Sequence, residues 1–144
     1  MFIPVRGVLG MSLLGLAVTW GCGSKESIPR SAVSGQVTFE GQPLEAGVIL
    51  FVPGTGVKGA PVHLSIQAGK YDSASDPADR RGVVTGNNQI QILAMKKTGK
   101  KIKNPDNRME EEVLQYIPAR YNIQTELSQV IQPGKQELNF DLKK

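Results

Sequence analysis

From Ala32 onward, apolar and polar residues alternate with a period of two, and Gly and Pro cut the alternation into short runs. Val33, Gly35, Val37 and Phe39 fall on one side and Ser34, Gln36 and Thr38 on the other, so a first strand is predicted to end at Glu40-Gly41-Gln42-Pro43 and to turn into a hairpin. Residues 47–52 (GVILFV) are β-branched or aromatic, too few for a helix and closed by Pro53-Gly54, which predicts a strand buried on both faces or nearly so. Residues 61–67 (PVHLSIQ) alternate again and reach Gly69-Lys70-Tyr71, giving a third strand and the start of a fourth.

The second half is less regular. Residues 72–86 are polar and read as a loop, after which 89–95 (QIQILAM) place Ile90, Ile92 and Ala94 on one face of a half-buried strand. Residues 96–107 hold five lysines with Gly99 and Pro105 and read as a basic loop. Residues 109–116 (MEEEVLQY) are expected to make one or two helical turns, stopped by Pro118. Strands at 127–131 and 137–142, joined by Pro133-Gly134-Lys135, complete the pattern. About seven short strands with no helix of ordinary length predict an all-β fold, a seven-stranded antiparallel β-sandwich, with a small barrel such as an OB-fold as the alternative.

The first residues break this pattern. Met1 to Arg6 carries one positive charge, residues 7–20 are almost wholly apolar or small, and Gly21-Cys22-Gly23-Ser24 follows, which is the order of a secretory signal. The apolar run is shorter than the roughly 20 residues a membrane-spanning helix needs. Cys22 is the only cysteine. In an exported chain it has no internal disulfide partner and is lipidated, paired between chains or free. Val18-Thr19-Trp20-Gly21-Cys22 resembles a bacterial lipobox, with Thr19 and Trp20 where Leu and a small residue are usual. That resemblance implies cleavage before Cys22 and acylation of its thiol, as by palmitate. Each buried methylene contributes about 0.8 kcal/mol, so several acyl chains anchor a protein without a spanning helix. The expected organisation is a lipoprotein signal peptide over 1–21, a flexible polar tether over 22–31 and one domain over 32–144.

The 144 residues carry 17 Lys and Arg against 13 Asp and Glu, a net charge of +4, with 16 Gly and 9 Pro. These totals fit one modest domain and exclude a multidomain enzyme, a disulfide-stapled mini-protein and an acidic disordered chain.

Ser34-Gly35-Gln36-Val37-Thr38, Gly41-Gln42-Pro43-Leu44, the run from Gly47 to Pro53, IQAGKY at 66–71, IPARY at 117–121 and Asn139-Phe140-Asp141-Leu142 together resemble a known family. They are similar to the transthyretin-like, carboxypeptidase-regulatory-like domains of small exported lipoproteins of planctomycete-type bacteria. The resemblance spans nearly all of the chain after the signal. It implies a prealbumin-like sandwich held at the cell envelope and no assigned activity. The family's Asp-Gly turn stands here as Ala68-Gly69. Purine-pathway hydrolases of the same fold use several His and Arg residues and a terminal Tyr-Arg-Gly-Ser, which this chain lacks. A metallocarboxypeptidase site needs two His and a Glu, and His63 is the only histidine.

Four groups of residues remain as candidates for chemistry. Between Val62 and Leu64, His63 is expected to face solvent or a sheet edge rather than to act in catalysis. Asp72, Asp76 and Asp79 share a polar loop and are weak candidates for a calcium site; their spacing is not that of an EF-hand, and Arg80 and Arg81 lie beside them. Lys96, Lys97, Lys100, Lys101 and Lys103 are expected to form a solvated loop paired loosely with Glu110, Glu111 and Glu112; anionic lipid or surface polysaccharide is the alternative, and the run lacks the interleaved aromatics of a nucleic-acid site. Tyr116, Arg120 and Tyr121 around Pro118 are candidate contacts to a ligand or partner, or a cover for the open end of the fold. The reading is therefore a non-catalytic structural or binding module, without cofactor or nucleic acid, anchored to a membrane through Cys22 and meeting an envelope protein or glycan. The alternatives are an enzyme using carboxylates of the 72–81 and 106–112 loops, and a carbohydrate-binding accessory module.

Overall fold

A computed structural model describes residues 27–144, so the expected signal peptide, Cys22 and the first half of the expected tether lie outside the described residues. The described residues form an all-β structure whose single helical element is a 3-10 turn, Ala119–Tyr121. Its strands are β1 (Arg30–Phe39), β2 (Gln42–Pro43), β3 (Ala46–Pro53), β4 (Val62–Gln67), β5 (Lys70–Asp72), β6 (Val83–Val84), β7 (Gly86–Leu93), β8 (Met95–Lys103), β9 (Met109–Gln115), β10 (Ser128–Ile131), β11 (Lys135–Glu137) and β12 (Phe140–Leu142).

Most pairings are antiparallel, and the strands curl through the order β10-β7-β3-β4-β5-β1-β11, with β2, β6 and β12 also bonded to β1. The core follows from alternation along these strands: Val33, Val37, Ile49, Phe51, Val62, Leu64, Ile66, Ile90 and Ile92 point inward and are buried. Burying side chains of this size contributes about 1.5–3 kcal/mol each, which is what offsets the ordering of so many short strands.

Several expectations change. Twelve strands form among the described residues where about seven were predicted, and two pairings are parallel, β1 with β11 and β1 with β12. Strand β1 begins at Arg30, so the last two residues of the expected tether belong to the fold; Arg30 and Ser31 pair with Val84 and Val83 of β6, inside the segment expected as loop. Strand β3 is not buried on both faces: Ile49 and Phe51 are inside, while Val48 is 37% exposed. The basic segment and the expected helical turns are instead the two strands of one antiparallel hairpin, β8–β9. The expected strand 137–142 is split into β11 and β12.

That split has a local cause. Ala32 to Ser34 pair with Lys135 to Glu137, and Val37 to Phe39 pair with Phe140 to Leu142 in the same register. Between them the two backbones come so close that a Cβ on Gly35 would lie 1.8 Å from the carbonyl oxygen of Leu138. The chain is held there by Leu138 N–H donating to Ser34 (2.9 Å), the Tyr71 hydroxyl donating to the Leu138 carbonyl (2.7 Å) and Gln36 N–H donating to Asn139 Oδ1 (2.8 Å). Tyr71 is buried, and burial first, with Glu137 adding to it, pushes its phenol well above the usual range, so it stays a neutral donor.

The turn between β4 and β5 places Ala68 at φ 48° and Gly69 at φ 75°, a left-handed pair of the kind that favours Asn-Gly. Ala68→Asn is expected to stabilise the fold by about 0.5–1 kcal/mol. Gly35→Ala is expected to cost at least about 3 kcal/mol, because the crossing must separate and lose its hydrogen bonds. Urea unfolding of both variants against the parent measures each effect.

Candidate functional site

The three loop aspartates do not converge. Ser73 Oγ accepts from Val33 N–H (2.8 Å), straps the loop to β1, and is followed by turns that each aspartate closes. Asp72 accepts from Ala74 N–H (2.8 Å) and Ser75 Oγ–H (2.9 Å). Asp76 is buried and accepts from Ser65 N–H on β4 (2.6 Å) through one oxygen and from Ala78 N–H (2.8 Å) through the other. Asp79 takes a two-point contact from the Arg81 guanidinium, at 2.9 and 2.6 Å. Their lone pairs go to holding the loop, and among the described residues no three His, Cys, Asp or Glu are grouped to hold a metal ion.

The electrostatics agree with that role. Burial pushes the Asp76 carboxyl up, but the N–H groups of Ser65, Ala78 and Asp79 outweigh it and leave it below the usual carboxylate range. The Arg81 side chain holds Asp79 down at about 2.

Tyr116, Arg120 and Tyr121 gather around the end of β1 and β12. Tyr116 packs edge-on against Phe39, with ring centroids 5.8 Å apart, and Lys96 Nζ lies 5.5 Å from its ring centre. Pro118 starts the 3-10 turn, and the buried Asn122 caps it by donating to the carbonyls of Ile117 (3.1 Å) and Pro118 (3.0 Å). The turn stacks the Arg120 guanidinium 5.0 Å from the Tyr121 ring centre. Lys143 N–H donates to the Tyr121 hydroxyl (3.1 Å), and Arg120 donates to the Lys143 carbonyl (2.8 Å). The Lys143 N–H, and then Arg120, lower the Tyr121 phenol below its usual value. These polar groups fasten the C-terminal strand, and only the exposed Arg120 keeps a broad open surface.

Beside the aspartate loop lies a cleft of about 490 Å³, bordered by Ser34 and Gln36 of β1, Ser65 and Gln67 of β4, and Lys70 and Asp72 of β5. The sequence reading missed it because its walls come from strands distant along the chain.

A second surface was also missed. His63 is exposed, as expected, and it sits over a groove of about 590 Å³ lined by Val48, Leu50, Gln91, Leu93 and Met95 on the outer face of β3, β4 and β7. Strand alternation carries this face out along the hairpin. Cross-strand pairs Met95–Gln115, Lys97–Val113, Lys101–Glu111 and Lys103–Met109 lie on the outer side. Lys97 Nζ reaches Glu111 at 3.2 Å on that side. The opposite side carries Glu110, Glu112, Ile102 and Leu114 with Lys96, and Lys100 Nζ reaches Glu112 at 3.8 Å. A bulge between Lys97 and Lys101 keeps the outer-facing lysines in step. The signal available in the sequence was the two-residue alternation of Met109, Glu111 and Val113 against Glu110, Glu112 and Leu114.

The chain matches no family model and no curated protein. Among solved structures it is similar to a DUF3823 family protein from Parabacteroides merdae, at 16% identity and a TM-score of 0.37, over 81% of this chain and 47% of that one. It is also similar to a 9R-lipoxygenase from Cyanothece, at 13% identity and a TM-score of 0.34, over 92% of this chain and 18% of that one. The chain thus spans under half of either protein, and likenesses of this size carry no argument about activity.

Two outcomes test these roles. Tyr121→Ala is expected to cost about 1–3 kcal/mol through lost packing against the core and the lost hydrogen bond to the Lys143 N–H, read as a lowered urea midpoint. Asp76→Ala is expected to cost about 1–3 kcal/mol at neutral pH. Because the folded Asp76 value lies below the unfolded one, its contribution is complete above pH about 4 and is lost as the pH falls through the folded value. The gap between variant and parent in urea titrations therefore closes in acid.

Proposed function

We propose that this chain is a non-catalytic structural or binding module, exported and held at the cell envelope by acyl chains on Cys22. In this reading its curled sheets form a transthyretin-like sandwich displayed at a membrane facing the periplasm or exterior. The observation that carries it is the order of residues at the start of the chain. A singly charged start, an apolar run too short to span and the sole cysteine lead through a polar stretch directly into β1.

The geometry supports display rather than turnover. The carboxylates that an enzyme would draw on at 72–81 are spent as turn acceptors, and those at 110–112 lie on a hairpin whose strands pair only with each other among the described strands. A second reading, a glycan-binding accessory, is favoured by the polar cleft bordered by Ser34, Gln36, Ser65 and Gln67, whose hydroxyls and amides suit sugar hydroxyls.

Intact-mass analysis of the membrane fraction tests the anchor. The expected product begins at Cys22 with added acyl mass, and Cys22→Ser is expected to leave the precursor unacylated and uncleaved. Recovery of the parent chain from the soluble cell interior with Met1 in place would overturn the proposal. Binding on a glycan array that is lost in Gln36→Ala would favour the second reading.

A further inference from the structure

We infer that the outer face of the β8–β9 hairpin, together with the groove it extends, is a docking surface for an anionic lipid bilayer. The inference deepens the anchored reading and rests on it for the presence of a membrane nearby.

The hairpin is unusual in what it exposes. Met95, Met109 and Val113 are 58%, 57% and 52% exposed and all lie on the outer side. Lys97, Lys101 and Lys103 stand among them on that same side, against Glu111 alone. Glu111 is already engaged by Lys97, and no ion pair is formed by Lys101 or Lys103 among the described residues. Glu110 and Glu112 are turned to the other side, where Asn104 and Thr98 hydrogen-bond them at 2.7 and 3.0 Å. Alternation thus gathers an excess of lysine with Met95, Met109 and Val113 on one face, while on the other, which carries Ile102 and Leu114, Lys96 and Lys100 balance Glu110 and Glu112.

Apolar side chains between lysines match the boundary of a bilayer, where the former enter the acyl layer and the latter reach anionic headgroups. A second copy is a poorer occupant, since stacking two such faces sets Lys101 and Lys103 against their own equivalents. The attachment point also fits. Arg30 pairs with Val84, two residues before β7 starts, whereas the hairpin leaves from the far end of β7. The residues from Cys22 to Arg30 reach at most roughly 27 Å, about the length of β7. Acyl chains at one end and the hairpin at the other would hold the body on its side, with the groove of Val48, Leu50 and Leu93 facing the lipid.

The test uses the full chain with vesicles of phosphatidylcholine, alone or mixed with phosphatidylglycerol, and lysine acetylation read by mass spectrometry. The parent is expected to bind the anionic mixture at least about twentyfold more tightly at low salt, because Lys101 and Lys103 near such a surface each add roughly fivefold. On those vesicles Lys101 and Lys103 should lose labelling while Lys70 and Lys135 keep theirs. The double variant Lys101→Gln, Lys103→Gln should lose roughly twentyfold on the mixture and nothing on phosphatidylcholine. Equal binding to both compositions with the hairpin lysines still labelled overturns the inference and leaves the Cys22 anchor standing. Binding to neither composition overturns both. Protection that appears without lipid and rises with protein concentration assigns the face to self-association and also overturns it. The footprint of the parent decides the matter even if the variant misfolds.

Discussion

The close crossing of β1 over the segment that joins β11 to β12 is the constraint on which the rest depends. Strand β1 bonds to β2, β5, β6, β11 and β12, so every closure of the curled sheet passes through it. Only glycine at position 35 lets the Leu138 carbonyl approach, and the Tyr71 hydroxyl then fixes that carbonyl from inside the core. Tyr71 also packs near Phe51 and Phe140, which ties the crossing to the centre of the hydrophobic interior. Because β1 and its parallel partners stand about a hundred residues apart in the chain, the fold is dominated by non-local contacts, the kind that form late and slowly.

With the body closed in this way, polar residues divide into those that hold the fold and those left over for contact. The aspartate loop, Arg120 and Tyr121 belong mostly to the first group, since their donors and acceptors are taken up by backbone groups of β1, β4 and the last residues of the chain. The outer face of β3 and β7 and its extension along β8–β9 belong to the second. Alternation that buries Ile90, Ile92 and Ala94 on one side necessarily sends Gln91, Leu93 and Met95 to the other. The composition of the exposed face is therefore set by the same register that builds the core.

The strands around Val37, Ile49, Leu64 and Ile92 were legible in the sequence because burial of one face imposes a two-residue period that survives without any knowledge of partners. The hairpin was not. Met109 and Val113 are also spaced as neighbours on a helix, and with both faces exposed no burial pattern separates the two periods. The start of β1 at Arg30 and the two-residue β6 depend on each other across fifty residues, so neither has a local signature. The division of the last strand at Leu138 and Asn139 likewise follows from a distant glycine. Of the candidate contacts, residue types were readable but their employment was not: Asp76 looks like a ligand in a list and is a bracket between loop and sheet in space.

The parallel register between the first strand of the body and its last has a mechanical meaning. Tension applied between Arg30 and Lys144 pulls β1 and β12 in opposite directions along their length, so the hydrogen bonds joining them are sheared together instead of being opened one after another. A body tugged from both ends in this way yields only when several of these bonds fail at once.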